Sequence, residues 1–309
     1  MKKILTIDGG GMRGILAAAI VEEMERVAGA PAVEIFDCFM GTSAGSILAA
    51  GLAMGKSARF MREQFEKLHD LPEKMALQDG SATAPMKTIL QGIFGDTRPA
   101  DLKKPFAAPA KNAKHGRVYF FGNFPADTSD TPSFWDNKAN LDEGGLPVWK
   151  VVLRSAALPP FFKPVDDYID GGISPFSNPT YAAFVGSERR LGWGNEQRNF
   201  YSVGTGYHTG TLDLSGNYAE HLGGFMLLSM MQDANFLQHQ IMKTLRDDKL
   251  VNYKRYNIHF SEQAFSTLDI KLPSGITFED LLHPYSTKLK EMGDVGDQVA
   301  AKLVKASDF

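Results

Sequence analysis

Cysteine is nearly absent from this sequence, and long runs of uncharged apolar residues are absent altogether. The single cysteine, Cys38, cannot form an intramolecular disulfide, so the chain has no disulfide framework and is compatible with a reducing compartment. The amino-terminal apolar run ends at Asp8, which makes it too short for the core of a signal peptide. No other run approaches the ~20 apolar residues of a membrane span. These absences predict a cytoplasmic protein, with peripheral contact to a membrane surface as a further expectation.

The sequence also lacks an excess of either charge. It has 33 lysines and arginines against 36 aspartates and glutamates, and no long basic run, so a dedicated nucleic-acid-binding protein is not expected. A hydrophobic fraction of 43% excludes a chain that is disordered throughout. No group of His, Cys, Asp and Glu has the spacing of a metal site, and no calcium-loop pattern is present. Neither a metal nor a cofactor is therefore expected.

Short apolar runs alternate with helix-like segments, which predicts an α/β fold: a three-layer α/β/α sandwich with a mainly parallel central sheet. A single domain is expected over residues 1–309. Two stretches, 71–114 and 123–146, are rich in proline and glycine and are predicted to be lids or insertions on the sheet. The predicted strands are 4–7, 36–40, 117–121, 168–169, 199–203 and 256–260, and the predicted helices are 14–26, 44–54, 148–157, 218–245 and 286–305.

Residues 41–45, with the sequence G-T-S-A-G, join an apolar run to a helical segment, which is the arrangement of a nucleophile elbow. A serine at such a sharp turn has its hydroxyl exposed at the end of the sheet, and the crowded turn needs glycine at Gly41 and Gly45. The following helix directs the partial positive charge of its amino terminus towards the serine. The pattern favours Ser43 as a nucleophile, although G-x-S-x-G by itself also occurs by chance.

A second glycine-rich turn, residues 8–14 with the sequence D-G-G-G-M-R-G, also joins a strand to a helix. Three glycines allow backbone N–H groups to converge on an anion, which in acyl transfer is the oxyanion of the tetrahedral intermediate. The same residues match the dinucleotide-binding pattern G-x-G-x-x-G, with Glu34 near the position of a ribose-binding acid. The turn alone leaves both interpretations open. The elbow at the next strand end favours the oxyanion loop, and Glu34 precedes the second strand instead of ending it.

A third motif, D-G-G at residues 170–172, follows a short strand-like pair. An acid at a strand end followed by glycines can approach another backbone closely, and it follows the nucleophile in chain order as the acid of a catalytic triad does. A D-G-G sequence by itself is more typical of a turn. The nearby acids Asp166 and Asp167 are not followed by glycine and are predicted to be solvated. Because the carboxyl ends of parallel strands share one edge of a sheet, the three motifs are expected to meet there.

Together the three motifs resemble those of the patatin-like phospholipase family, which includes the catalytic domains of cytosolic phospholipase A2 type enzymes. That family has an oxyanion loop D-G-G-G-x-[RK]-G, an elbow G-x-S-x-G and an acid in D-G-[GA], in the order found here. Residues 155–162 and 202–206 also resemble blocks of the family. The resemblance implies a modified α/β-hydrolase fold and a lipid acyl hydrolase of the phospholipase A or lysophospholipase type, acting on a phospholipid at a membrane surface without a cofactor.

The resemblance also implies roles for individual residues. Ser43 would be the nucleophile and Asp170 the base of a dyad that uses no histidine. The oxyanion hole would be formed by Gly9, Gly10 and Gly11, with the N–H groups supplied by the last two. Arg13 would stabilise this loop or contact an anionic headgroup, with a structural ion pair as an equal alternative. The supporting residues would be Arg13, Gly41, Gly45, Gly171 and Gly172.

Other functions remain open on the sequence. The acyl group could pass to an acceptor other than water, the glycine-rich turn could belong to a dinucleotide-dependent oxidoreductase, or the fold could serve a binding protein without catalysis. A Ser-His-Asp triad would need a histidine after Asp170, and His208 is the best placed of the seven. The oligomeric state and the positional preference for the ester are not predicted.

Two later segments carry weaker signals. Residues 225–231 are apolar nearly all round and are predicted to pack in the core, with the wall of an acyl-chain pocket as the alternative. Five basic residues interleave with Asp247 and Asp248, which predicts a solvated face, with contact to anionic lipid as the alternative. These five are Lys243, Arg246, Lys249, Lys254 and Arg255.

Overall fold

The fold is built around one seven-stranded, mostly parallel sheet. The structure, a computed structural model, describes residues 1–68, 71–125, 145–208, 218–282 and 286–309, except for the side chains of residues 72 and 218–228. The strands are β1 (Lys2–Ile7), β2 (Cys38–Gly41), β3 (Phe106–Asn112), β4 (Val118–Gly122), β5 (Tyr168–Asp170), β6 (Arg198–Val203) and β7 (Asn252–Tyr256).

The strand order is β4-β3-β2-β1-β6-β7, and β5 pairs with β3. Five strands, β3, β2, β1, β6 and β7, are parallel, whereas β4 and β5 are both antiparallel to β3. In β1, Ile4 lies opposite Cys38 of β2 and opposite Phe200 of β6, so β1 has a neighbour on each side. The carboxyl ends of β1, β2 and β6 therefore lie along one edge of the sheet.

Alternate residues of each strand point to opposite sides of the sheet, so both faces carry apolar side chains. Helices cover both faces. Leu5 and Phe39 enter a large core formed with the first, third and last helices, whereas Ile4 and Phe200 enter a second core on the other face. The predicted three-layer α/β/α sandwich is confirmed. The helices are α1 (Gly14–Ala28), α2 (Ala32–Ile35), α3 (Ala44–Met54), α4 (Ala58–Glu66), α5 (Leu71–Ala76), α6 (Thr83–Phe94), α7 (Val148–Ser155), α8 (Thr180–Arg189), α9 (Tyr218–Asp247), α10 (Glu262–Leu268), α11 (Phe278–Leu282) and α12 (Leu289–Leu303).

The stretch 71–114, predicted to be an insertion, contains a strand of the sheet itself. Strand β3 has the sequence F-A-A-P-A-K-N, which is poor in β-branched residues and has Pro109 in its middle, so strand propensity argues against it. Proline is tolerated because Pro109 lies between the residues that pair with β2 and those that pair with β5. The second predicted insertion, 123–146, falls mostly on residues 126–144, outside the described residues.

The last strand was also predicted at the wrong place. The apolar character of residues 256–260 predicted a strand there, whereas β7 spans Asn252–Tyr256 and includes Lys254 and Arg255. Both charged residues have specific partners, since Lys254 pairs with Asp308 and Arg255 with Asp8. Charge in this strand therefore marks buried or half-buried ion pairs, a pattern that hydrophobic periodicity does not detect.

Helix α12 packs directly against α1, the helix that follows the glycine-rich turn. A Cβ added to Gly296 would lie 2.8 Å from the Cβ of Ala19 and 3.2 Å from the Cα of Leu16, so glycine permits the close approach of the two helices. The single cysteine, Cys38, is buried in the second core, where its side chain is 1% exposed.

We expect Gly296→Val to lower the free energy of unfolding by about 1–3 kcal/mol, because the added atoms must push α12 away from α1. The measurement is urea unfolding followed by circular dichroism. The matched control is Gly92→Ala in α6, where an added Cβ meets nothing within 4 Å. That change is expected to raise stability by up to ~1 kcal/mol through helix propensity. Equal effects of the two substitutions would contradict the packing described here.

Candidate active site

Ser43 occupies a sharp, strained turn between β2 and α3. Its φ of 54° and ψ of −129° lie where L-residues are rarely found, which is typical of a residue held in place by its surroundings. A Cβ on Gly41 would lie 2.1 Å from the carbonyl oxygen of Gly45, and a Cβ on Gly45 would lie 2.4 Å from that of Asp8. Only glycine fits at both positions of this strand-to-helix turn.

The hydroxyl of Ser43 is hydrogen-bonded to the carboxylate of Asp170. Ser43 Oγ donates to Asp170 Oδ2 at 2.7 Å, and the N–H of Gly172 donates to Asp170 Oδ1 at 2.6 Å. Burial raises the pKa of Asp170 to about 7, while the hydrogen bonds from Ser43 and Gly172 act in the opposite direction. A carboxylate with this pKa is a stronger base than an exposed aspartate and is still largely ionised at slightly alkaline pH.

These two residues meet because β2 and β5 approach each other along the same strand. Strand β2 is parallel to β3 and pairs with Phe106 and Ala107. Strand β5 is antiparallel to β3, and Asp170 lies opposite Ala110. The carboxyl ends of β2 and β5 therefore face each other across Pro109. The expectation that the acid would reach the site from a parallel strand is wrong, although the three motifs do meet.

The last residue of α7 links the turn at Ser43 to the turn at Asp170. Ser155 Oγ accepts a hydrogen bond from the N–H of Ser43 at 3.0 Å, and its carbonyl oxygen accepts one from the N–H of Gly171 at 3.0 Å. A Cβ on Gly171 would lie 2.3 Å from the carbonyl oxygen of Pro109, so this glycine permits the close approach of β5 to β3. The bridging role of Ser155 was not predicted, and the only signal was its place at the start of the block 155–162.

The glycine-rich turn lies beside Ser43, but its three glycines differ. The N–H of Gly9 already donates to the carbonyl oxygen of Ser177 at 3.0 Å, so it is not available to an oxyanion. The N–H groups of Gly10 and Gly11 have no assigned acceptor among the described residues. A Cβ on Gly10 would lie 2.1 Å from Thr205 Oγ1, which itself donates to the carbonyl oxygen of Gly9 at 2.8 Å. Of the three predicted glycines, two therefore have backbone N–H groups without an acceptor among the described residues.

A buried ion pair fixes the start of this turn. Arg255 Nη1 donates to Asp8 Oδ1 at 2.8 Å, its Nη2 donates to Asp8 Oδ2, and Nη1 also donates to Ser202 Oγ at 2.8 Å. The side chains of Asp8 and Arg255 are 1% and 12% exposed. The prediction that Arg255 belongs to a solvated face is wrong, because its neighbours Asp247 and Asp248 obscured a partner that lies far away in sequence.

Arg13 supports the loop without an ion pair to any described carboxylate. Its Nε donates to the carbonyl oxygen of Gly10 at 3.3 Å, and burial lowers its pKa to about 10. Of the alternatives for Arg13, contact with the loop is the one observed. Asp166 is exposed as predicted, with 41% of its side chain accessible, and it also accepts from Arg154 Nη2 at 2.6 Å and from Lys150 Nζ at 2.7 Å, which anchors the turn before β5.

No described histidine is hydrogen-bonded to Ser43 or Asp170. His208 Nδ1 is bonded to the carbonyl oxygen of Phe260 at 3.1 Å, and His239 Nδ1 to the hydroxyl of Tyr253 at 2.8 Å. The side chains of His69, His221 and His283 lie outside the described residues.

In the part of the chain that the structure describes, no group of His, Cys, Asp and Glu is placed to hold a metal ion. Within the same part, no helix is both long and apolar enough to cross a membrane.

Comparison with known proteins supports the resemblance. A family model for patatin-like phospholipases matches residues 5–184, which include all three motifs. The 85/88 kDa calcium-independent phospholipase A2 of Mus musculus is 27% identical over 220 residues, covering 66% of this chain and 27% of that protein. A cGAMP-activated phospholipase of Pseudomonas aeruginosa is 33% identical over 184 residues, covering 55% of this chain and 52% of that protein.

A second cGAMP-activated phospholipase, from Escherichia coli, is 32% identical over 207 residues, covering 59% of this chain and 55% of that protein. The aligned part thus spans about half of the bacterial relatives and about a quarter of the mouse protein. The family model matches more than half of this chain, with the motifs in the expected order. The chain belongs to the patatin-like phospholipase family.

Proposed function

We propose that this protein hydrolyses carboxylic esters of phospholipids through an acyl-enzyme on Ser43, with Asp170 as the base. The observation that carries the proposal is the hydrogen bond of 2.7 Å from Ser43 Oγ to Asp170 Oδ2, at a strained turn next to Gly9 of the glycine-rich turn. The relatives are described as phospholipases, which supports a phospholipid substrate.

The residues of the site can perform both halves of the reaction. Ser43 Oγ attacks the ester carbonyl while Asp170 accepts its proton, and the N–H groups of Gly10 and Gly11 stabilise the oxyanion. The proton then passes to the leaving alcohol. Water attacks the acyl-enzyme with the same carboxylate as base, which releases the fatty acid. No metal or cofactor enters this scheme, and no histidine is needed.

We expect Ser43→Ala and Asp170→Asn each to lower kcat/KM by roughly 10³-fold or more, because each removes a group that forms or breaks bonds. The measurement is hydrolysis of a soluble short-chain p-nitrophenyl ester and of phospholipid vesicles. The control is His208→Ala, which is expected to retain activity. A folded His208→Ala protein without activity would contradict the dyad, and an active Ser43→Ala protein would contradict the nucleophile.

We expect kcat/KM for the soluble ester to rise with pH and to level off above about 7. Burial raises the pKa of Asp170 to about 7, and below that pH the protonated carboxyl cannot accept the Ser43 proton. The rate should therefore fall about tenfold per unit below the pKa. Circular dichroism over the same range checks that the protein stays folded. A midpoint near the ordinary aspartate value of about 4 would contradict this account.

We also propose that α9 contacts the lipid surface. At 1.5 Å per residue its 30 residues extend about 45 Å, roughly twice the length of β6. Gln238 Nε2 donates to the carbonyl oxygen of Pro175 at 2.8 Å, which fixes this part of α9 beside the D-G-G motif. Three apolar side chains nearby, Met230, Phe236 and Leu237, are 65%, 64% and 54% exposed.

The chemistry of this surface fits the boundary of a lipid layer better than bulk water. Large apolar side chains insert at the headgroup boundary, and a lysine further along the helix reaches the headgroups. The exposed Lys243 follows the apolar residues by two turns of α9. The carbonyl of a lipid must reach a largely buried Ser43, so an apolar surface beside the site shortens the path from the membrane.

We expect the triple substitution Met230→Ser/Phe236→Ser/Leu237→Ser to lower both vesicle binding and vesicle hydrolysis about tenfold or more, while hydrolysis of the soluble ester is retained. Co-sedimentation with anionic phosphatidylcholine–phosphatidylglycerol vesicles measures the binding. The matched control is Leu77→Ser/Leu250→Ser, which removes side chains that are 59% and 60% exposed elsewhere. Unchanged vesicle binding, or dissociation of an oligomer in the triple variant, would contradict the proposal.

A further inference from the structure

Residues 173–179, with the sequence I-S-P-F-S-N-P, connect β5 to α8 without regular structure, and two prolines restrict their backbone. The segment is nevertheless tied to both catalytic turns. The carbonyl oxygen of Phe176 accepts from Thr42 Oγ1 at 2.6 Å, and that of Ser177 accepts from the N–H of Gly9 at 3.0 Å. Ser177 is therefore held between the nucleophile turn and the oxyanion loop.

The hydroxyl of Ser177 is fully buried and has no hydrogen-bond partner in the described part of the chain. Among its polar neighbours, Thr180 Oγ1 is bonded to Asn178 Oδ1 at 2.6 Å and to Ser202 Oγ at 2.9 Å, whereas Asn178 Nδ2 also has no partner among the described residues. Burying an unpaired hydroxyl costs free energy, and nearly all buried polar groups are paired. An unpaired hydroxyl at this place indicates that its hydrogen-bond partner is a molecule that enters the site during the reaction.

Two glycines, Gly9 and Gly172, place this hydroxyl close to the catalytic pair. The position of a Cβ on Gly9 lies 3.3 Å from Ser43 Cβ and 3.7 Å from Ser177 Oγ. The position of a Cβ on Gly172 lies 3.0 Å from Asp170 Oδ1 and 3.8 Å from Ser177 Oγ. The hydroxyl of Ser177 therefore lies close to both the nucleophile and the base, with Met231 Cε packed 2.8 Å from the Cβ position on Gly172.

We propose that Ser177 is a further catalytic residue, whose hydroxyl and the Asp170 carboxylate together hold the water that hydrolyses the acyl-enzyme. The inference rests on the proposed function. Once Ser43 Oγ is acylated it no longer donates to Asp170 Oδ2, so that oxygen is free to accept from water. An ordered buried water needs two to four polar partners, and Ser177 supplies a second one.

The step balances without another reactant. The water oxygen forms a bond to the acyl carbon while one water proton passes to Asp170. The bond from the acyl carbon to Ser43 Oγ then breaks, and the proton on Asp170 returns to Ser43 Oγ. Ser177 Oγ orients the water by one hydrogen bond and is unchanged at the end. Its role is confined to the second half of the reaction, which separates it from the oxyanion donors.

The experiment compares wild type, Ser177→Ala and Ser177→Thr on a short-chain p-nitrophenyl ester. Stopped-flow measurement of the first turnover reports acylation, the steady state reports turnover, and intact-protein mass spectrometry reports the acyl group on Ser43. In Ser177→Ala we expect steady-state turnover about tenfold slower, an accumulated acyl-enzyme and acylation close to the wild-type rate. Ser177→Thr keeps the hydroxyl and is expected to restore turnover.

The controls separate this role from a structural one. Ser187→Ala removes a buried hydroxyl that donates to the carbonyl oxygen of Phe184 at 2.9 Å, in the last part of α8, and is expected to leave turnover unchanged. Labelling of Ser43 by a fluorophosphonate should be equally fast in every variant. Because Ser177 Oγ has no described partner, Ser177→Ala should not lower thermal stability. Ser177→Cys gives the same comparison with a weaker donor.

The outcomes distinguish two failures. If wild type turns over and Ser177→Ala accumulates no acyl-enzyme, or if acylation and turnover fall together, this inference is overturned and the proposed function stands. If wild type releases no p-nitrophenol and Ser43 is not labelled, the proposed function and this inference fail together. Accumulation of the acyl-enzyme in Ser177→Ala with recovery in Ser177→Thr supports the assignment.

Discussion

The candidate site depends on one geometric constraint: β2 and β5 meet end to end along the same side of β3. Each strand is short, and both are needed to bring Ser43 and Asp170 together. Pro109 lies at the junction, where the absence of an N–H leaves no ladder hydrogen bond unmade. The hydrogen bond from Ser43 to Asp170 results from this arrangement. It needs no loop closure, because both side chains stand on backbone fixed by the sheet.

Close backbone contacts and buried polar pairs hold the surrounding turns. Gly10 allows Thr205 to approach the loop, and Gly45 allows α3 to approach the end of β1. Arg255 pairs with Asp8, and removing one partner of a buried ion pair leaves an uncompensated charge. These contacts fix the glycine-rich turn, whose N–H groups are the proposed oxyanion donors, before substrate arrives. A carboxylate is a weak base towards an alcohol. Much of the stabilisation of the transition state would therefore have to come from preorganised N–H donors.

Local motifs were predictable from the sequence, and long-range partners were not. The turns at Ser43 and Asp170 have strong glycine signals, and the alternation of strands and helices was sufficient for the fold class. Strand β3 was missed because alanine and Pro109 carry little strand propensity. Arg255 was missed because a single sequence gives no sign of a partner near the other end of the chain. The antiparallel direction of β5 likewise follows from tertiary pairing, which no local pattern records.

The part of the chain beyond the family match completes the site. The match ends at residue 184, yet Thr205 bonds to the glycine-rich turn, Arg255 pairs with Asp8, and α12 supports α1 through Gly296. Each of these contacts reaches the turn at residues 8–14 or the helix that follows it. Three of the four residues in the D-G-G-G turn have no side chain, so contacts with neighbouring residues must fix its conformation. A turn made of glycine therefore depends on remote residues for its rigidity, and Thr205, Arg255 and Gly296 supply it.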